Sequence, residues 1–316
     1  MITYILRRLA QAIPVLIGIS IVVFALTRMI PGDAVDMMIG VEVEVDDQRR
    51  EEMRALFGLD EPLPVQYLNW AQGVVTGNLG LSMRSQRPVE TEIANRLPVT
   101  IQLTILSVTF AVLIAIPAGV IAAIRSGTRT EAGVQTVSLL ALATPNFWLG
   151  TLLILFTSRT FGWFPAASYV PITEDPWRNL QIFILPSIAL GAALAAITTR
   201  MTRSSMLEVL GREFVVTARA KGLSERVVIS RHALKNALIP VVTVVGVQTG
   251  QLLGGVIIIE EVFNLPGIGR LAVTSIEQRD YPVIQGVVLF VALAFVLINL
   301  FVDVLYAYLD PRIRYS

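Results

Sequence analysis

The chain has 316 residues, 54% of them apolar and 16% charged, with a formal net charge of +1. A soluble domain carries about 25% charged residues, so the polar surface available here cannot cover a globule in water. Cysteine is absent and His232 is the single histidine. That excludes disulfides, thiolate ligands, an HExxH pair and a histidine-rich metal site. The near-neutral balance gives no reason to expect a nucleic-acid partner.

About 20 apolar residues cross the hydrocarbon, and an ionised side chain at its centre costs roughly 3 kcal/mol. Uncharged stretches of at least 19 residues run 9–27, 97–124, 132–158, 179–199, 236–259 and 281–302. Six soluble core helices would be neither this long nor uncharged on every face. The first stretch follows Arg7-Arg8, but it exceeds a signal-peptide core and ends in Thr27-Arg28-Met29-Ile30-Pro31 without a small-x-small site. It reads as a retained helix. The expected fold is an all-α integral membrane protein of six transmembrane helices.

Six spans place both termini on one side. Segments 1–8, 125–131, 200–235 and 303–316 hold 14 Lys/Arg and 6 Asp/Glu, whereas 28–96, 159–178 and 260–280 hold 11 and 18. The first set is also shorter, 65 residues against 110. Basic residues accumulate on the cytoplasmic side, so both ends are expected inside.

The chain therefore divides into an N-terminal tail and first helix (1–30), an extracytoplasmic segment (31–97) and a five-helix core (98–316). Within 31–97, Asp46-Asp47 lead into Gln48–Phe57, a short helix with acids at its start and Gly58 beyond its end. Pro64 opens a second, with Leu63, Tyr67, Leu68 and Trp70 on a partly apolar face. The segment is either a packed cap over the helix ends or a surface that receives a soluble partner.

The cytoplasmic segment 200–235 is basic. Ser205–Arg219 mixes charge with Met206, Leu207, Val209, Leu210, Phe214 and Val215, the pattern of a helix on the membrane surface or against the span ends. Gly222 falls where that helix would end in left-handed geometry, and Ser224 can cap a helix that continues into the fifth span. Its arginines hold anionic lipid heads, or the helix–turn–helix has a partner.

Thr217-Ala218-Arg219-Ala220-Lys221-Gly222-Leu223, followed by Arg231-His-Ala-Leu-Lys-Asn236-Ala-Leu-Ile-Pro240, resembles the cytoplasmic EAA-type signature of ABC importer permeases. It is similar to the version in dipeptide, oligopeptide and nickel transporter permeases. Further segments resemble that family in order: Ile30-Pro-Gly-Asp33, Leu56-Phe-Gly-Leu-Asp60, Gly77-Asn-Leu-Gly80, Thr144-Pro-Asn-Phe147, Arg203-Ser-Ser-Met-Leu-Glu208 and Gly254–Gly269. Two departures from the sugar-transporter signature stand out. Gly222 and Pro240 lie 18 positions apart, and Thr217 stands near the place of the leading acidic residue. The resemblance implies a bacterial or archaeal cytoplasmic-membrane subunit of type I importer architecture. It implies a second permease, two cytoplasmic ATPases that supply ATP and Mg chemistry, and an extracytoplasmic binding protein. It further implies that a subunit of this kind holds no cofactor of its own and is not an enzyme. Thr217, Ala218, Arg219, Ala220, Lys221, Gly222 and Leu223 would seat in a groove of the ATPase.

The spans bear on the path. Gly246, Gly250 and Gly254 form a tandem GxxxG, which lets helix backbones approach closely. Gln248 and Gln251 share a helical face and serve either as interhelical hydrogen-bond glue or as a lining that contacts a polar substrate. In the third span, Pro145 should kink the helix, with Thr144 or Asn146 satisfying freed carbonyls or facing the path. Asp303, at the inner end of the last helix, is expected solvated or paired near the headgroups. A proton- or sodium-coupled carrier, or a channel, is the alternative; it usually keeps a charge inside a span. An intramembrane protease needs a histidine or two acids there, and none is present.

Overall fold

A computed structural model describes residues 2–29, 60–163 and 169–309. The expected helix at Gln48–Phe57 and the motif segment Ile30–Asp33 lie outside these residues, as does the side chain of Asp303. Eleven α-helices are present among the described residues: α1 Ile2–Met29, α2 Leu63–Thr76, α3 Val89–Ile124, α4 Arg129–Ala143, α5 Asn146–Phe161, α6 Pro176–Leu210, α7 Glu213–Ala220, α8 Glu225–Val227, α9 Leu234–Val262, α10 Ile268–Glu277 and α11 Tyr281–Leu309. A π-helical turn, Val228–Ala233, joins α8 to α9.

Five of the helical spans are long and apolar enough to cross a bilayer. The third uncharged stretch is not one kinked helix, as Pro145 alone suggested. It is two helices, α4 and α5, bent by 105°. The residue before a proline is pushed out of helical geometry, and Thr144 is extended at φ −87° and ψ 121°. Its hydroxyl donates to the Leu140 carbonyl at 2.7 Å, which also accepts the Thr144 N–H at 3.0 Å and so closes the end of α4. Pro145 then stands at the N-cap of α5.

The chain forms two compact units, residues 1–98 with 267–296, and residues 99–266 with 297–316. In the first, Tyr67 and Trp70 of α2 pack on Phe24 of α1, with ring centroids 5.5 and 5.8 Å away. The Tyr67 hydroxyl lies 2.8 Å from Ser20 Oγ. The expected apolar face of α2 is therefore divided, because Leu63 and Leu68 remain exposed. Gly77 ends α2 at φ 84°, and the Asn78 N–H reaches back to the Gly73 carbonyl at 2.9 Å. Beyond it, Val89, Ile93, Ile268, Leu271, Val283 and Val287 form one buried cluster.

The second unit is built around α6. Lipid tails are as apolar as leucine, so spans associate through close packing rather than hydrophobic burial. Gly191 of α6 illustrates this: a Cβ there would stand 2.6 Å from the Ser107 carbonyl oxygen of α3. Phe183, Leu190, Leu103, Ile259 and Leu265 fill one core of this unit. A second core gathers Ala123, Met206, Val209, Val215, Ala218, Val228, Ala233 and Ala237 beneath the 200–235 segment.

Candidate functional site

The 200–235 segment is built from three helices and a turn. The continuous helix expected over Ser205–Arg219 is divided: α6 ends at Leu210, Arg212 is extended, and α7 begins at Glu213. The division lets Val215 and Ala218 turn into the cluster that holds Met206 and Val209. Ser205 Oγ donates to the Ala237 carbonyl at 2.8 Å and ties α6 to α9.

Gly222 adopts φ 79°, a conformation that costs an L-residue roughly 1–2 kcal/mol. The Gly222 N–H donates to the Arg219 carbonyl at 2.9 Å, and the Leu223 N–H donates to the Ala218 carbonyl at 3.4 Å. This pair of bonds is a Schellman motif. It satisfies the end of α7 internally and reverses the chain in two residues. Across the turn, Arg219 forks onto Glu225, Nε to Oε1 at 2.7 Å and Nη2 to Oε2 at 3.3 Å. That bond raises the Arg219 pKa above its ordinary value. Ser224 stands at the N-cap of α8, yet its side chain makes no capping bond; its carbonyl accepts from Val227 and Val228 instead.

Of the seven segment residues singled out in the sequence, Ala218 is buried in the chain's own core. Thr217, Arg219, Ala220, Lys221, Gly222 and Leu223 are exposed. Phe214 and Val216 are exposed beside them. The result is a short basic and apolar knob, held rigidly from behind.

In the span that follows, the glycines of the tandem motif have different neighbours. A Cβ on Gly246 would lie 2.6 Å from Val302 Cγ1 of α11. Gly250 is buried, and Gly254 is exposed with nothing within 4 Å of a Cβ. Gly255, which the sequence reading passed over, is the close contact: a Cβ there would sit 2.9 Å from Asn146 Nδ2. Asn146 thus meets α9 one turn beyond Gln251. Gln248 is half-buried and Gln251 is exposed.

The structure adds polar groups that the charge-free spans concealed. Glu260, one residue beyond the fifth uncharged stretch, is fully buried and accepts the Thr100 hydroxyl at 2.6 Å. Gln102 donates to the buried Asn179, which in turn donates to the Val170 carbonyl at 2.8 Å. Nothing in the local sequence pairs these positions, since their partners lie 160 and 77 residues away.

Comparison with known proteins bears on what this arrangement serves. Residues 115–315 match the family of binding-protein-dependent transport system inner membrane components, and residues 1–104 match the N-terminal model of the same system. The chain belongs to this family. It is a multi-pass permease subunit of a binding-protein-dependent ABC importer in the inner membrane, which removes the secondary-transporter and channel alternative. The permease is 46% identical to the glutathione transport system permease protein GsiC of Escherichia coli strain K12, over the whole of both chains. It is 45% identical to the GsiC protein of Shigella boydii, again over both full lengths.

Among solved structures, an inward-facing MetNI methionine ABC transporter aligns with a TM-score of 0.57 at 18% identity, covering 69% of the permease and 96% of that chain. An amino acid ABC transporter aligns at 0.51 and 18%, covering 71% and 94%. These two likenesses concern the fold alone.

Proposed function

We propose that this permease forms half of the translocation pathway for small peptides and couples it to cytoplasmic ATPases through the turn at Gly222. The observation that carries the reading is the Schellman turn itself. It presents Phe214, Val216, Ala220 and Leu223 outward while Val215 and Ala218 lock the same helix to α6 and α9. A rigid knob of small and apolar residues can transmit a push; a flexible loop would absorb it. Movement of α7 would be passed directly to two spans.

In this reading the permease pairs with a second permease, and each docks one ATPase that holds ATP and Mg. An extracytoplasmic binding protein delivers substrate, both termini face the cytoplasm, and the 31–97 segment lies outside. The full-length relative named for glutathione transport supports a peptide-like substrate. Gln248, Gln251 and Asn146 are the proposed polar lining of the path, while Gly246 and Gly250 set helix approach and the exposed Gly254 does not.

Reconstitution with the companion subunits and binding protein tests this. ATP-dependent uptake of glutathione or dipeptides that requires the binding protein supports it. An assembly that hydrolyses ATP yet moves neither substrate class contradicts the peptide assignment.

A further inference from the structure

At the inner end of α6, helices α4, α6 and α9 border an open cavity of about 600 Å³. Small-molecule sites span roughly 300–1,000 Å³, so the space suits a ligand of a few residues. Ile197, Met201 and Val244 form apolar walls, and Gln135, Ser204 and Arg200 supply polar groups. Arg203 borders the same space, but its charge is already matched. Its Nε donates to Glu131 Oε1 at 2.6 Å, and Glu131 Oε2 accepts the Gly127 N–H at 2.6 Å. Arg200, three residues earlier on the same helix, has no acidic partner among the described residues and is exposed.

We infer that this cavity is a cytoplasmic-side subsite for the carboxylate of a small peptide, with Arg200 as its anion-binding group. A guanidinium offers paired donors that match a carboxylate in geometry as well as charge. The apolar walls accept a peptide side chain, and Gln135 and Ser204 offer hydrogen bonds to its amides. Glu131 keeps Arg203 from competing, so one positive charge serves one carboxylate. The site opens where the basic segments place the cytoplasm, and so it is met by peptide that has already crossed. Accumulated peptide would occupy it between α4, α6 and α9 and oppose their rearrangement, a brake set by internal concentration.

The inference rests on the peptide reading above, and binding is measured apart from transport to keep the two separable. The full-length chain in neutral phosphatidylcholine nanodiscs is titrated with tritiated glutathione. Arg200→Gln should weaken binding about tenfold, the loss of one charge-assisted contact. Arg200→Lys should fall between, and the diethyl ester of glutathione should bind wild type no better than glutathione binds Arg200→Gln. Phosphatidylglycerol should leave the affinity unchanged. Equal affinity of wild type and Arg200→Gln would overturn the site, and so would loss of binding in phosphatidylglycerol, which assigns Arg200 to lipid phosphate. Arg200-dependent binding with no peptide uptake by the wild-type assembly would overturn the substrate reading and leave the pocket standing.

Discussion

The carboxylate of Asp280 accepts a hydrogen bond from the Ser82 hydroxyl at 2.5 Å and one from the Met83 N–H at 3.1 Å. Residues 198 positions apart are joined at a buried carboxylate, which fixes the turn between Leu81 and Pro88 on the end of α10. Hydrogen bonds to a charged group are worth about 1.5–3 kcal/mol. Asp280→Ala should therefore raise amide hydrogen exchange at Met83 and Ser85 by roughly tenfold or more, with the 200–235 segment unchanged. Unaltered exchange at those amides would show that the clasp is not what holds the turn.

Gly222→Val should uncouple hydrolysis from uptake, since a β-branched residue at φ 79° is strained and the turn would open. Gly222→Asn, which tolerates left-handed geometry, should retain coupling. The measurement is uptake per ATP hydrolysed in proteoliposomes. Wild-type coupling in the valine variant would refute the role given to the turn.

Gly246→Ala places a methyl 2.6 Å from Val302 Cγ1, and the clash should cost about 1–3 kcal/mol. Val302→Ala removes the colliding atoms, so the double variant should recover most of the thermal stability. Gly191→Ala meets the backbone oxygen of Ser107 instead, and no side-chain change can relieve it. A double-mutant cycle on Gly246 and Val302 that shows no coupling would contradict this packing.

Replacing Gln248 and Gln251 with leucine should lower uptake several-fold while assembly and ATP hydrolysis persist. The amides would serve the solute rather than the packing, as their partial exposure suggests. Unchanged uptake at normal expression would assign them to helix association.

The parts legible in the sequence are those governed by local chemistry. The turn at Gly222 was legible because a helix pattern followed by glycine permits few conformations. A kink at Pro145 was legible too, but the division into two helices at 105° was not, because the angle depends on how α5 packs through Gly150 and Asn146 onto distant residues. The division of α6 from α7 was hidden because Gly211 is in ordinary right-handed geometry, and Ser205–Arg219 has helical periodicity throughout. Glu260 was concealed because it immediately follows the uncharged stretch 236–259, where a carboxylate reads as the end of a span. Its partner Thr100 is one more apolar-span threonine until the fold brings the two together.

Coupling through the turn requires Lys221 to face the compartment where nucleotide is hydrolysed. The chain has no cysteine, so a single introduced thiol reports its own surroundings. In intact cells, a membrane-impermeant maleimide should label Arg84→Cys from outside and label Lys221→Cys only after permeabilisation. Labelling of Lys221→Cys from outside, with Arg84→Cys protected, would invert the topology and remove the turn from any contact with an ATPase.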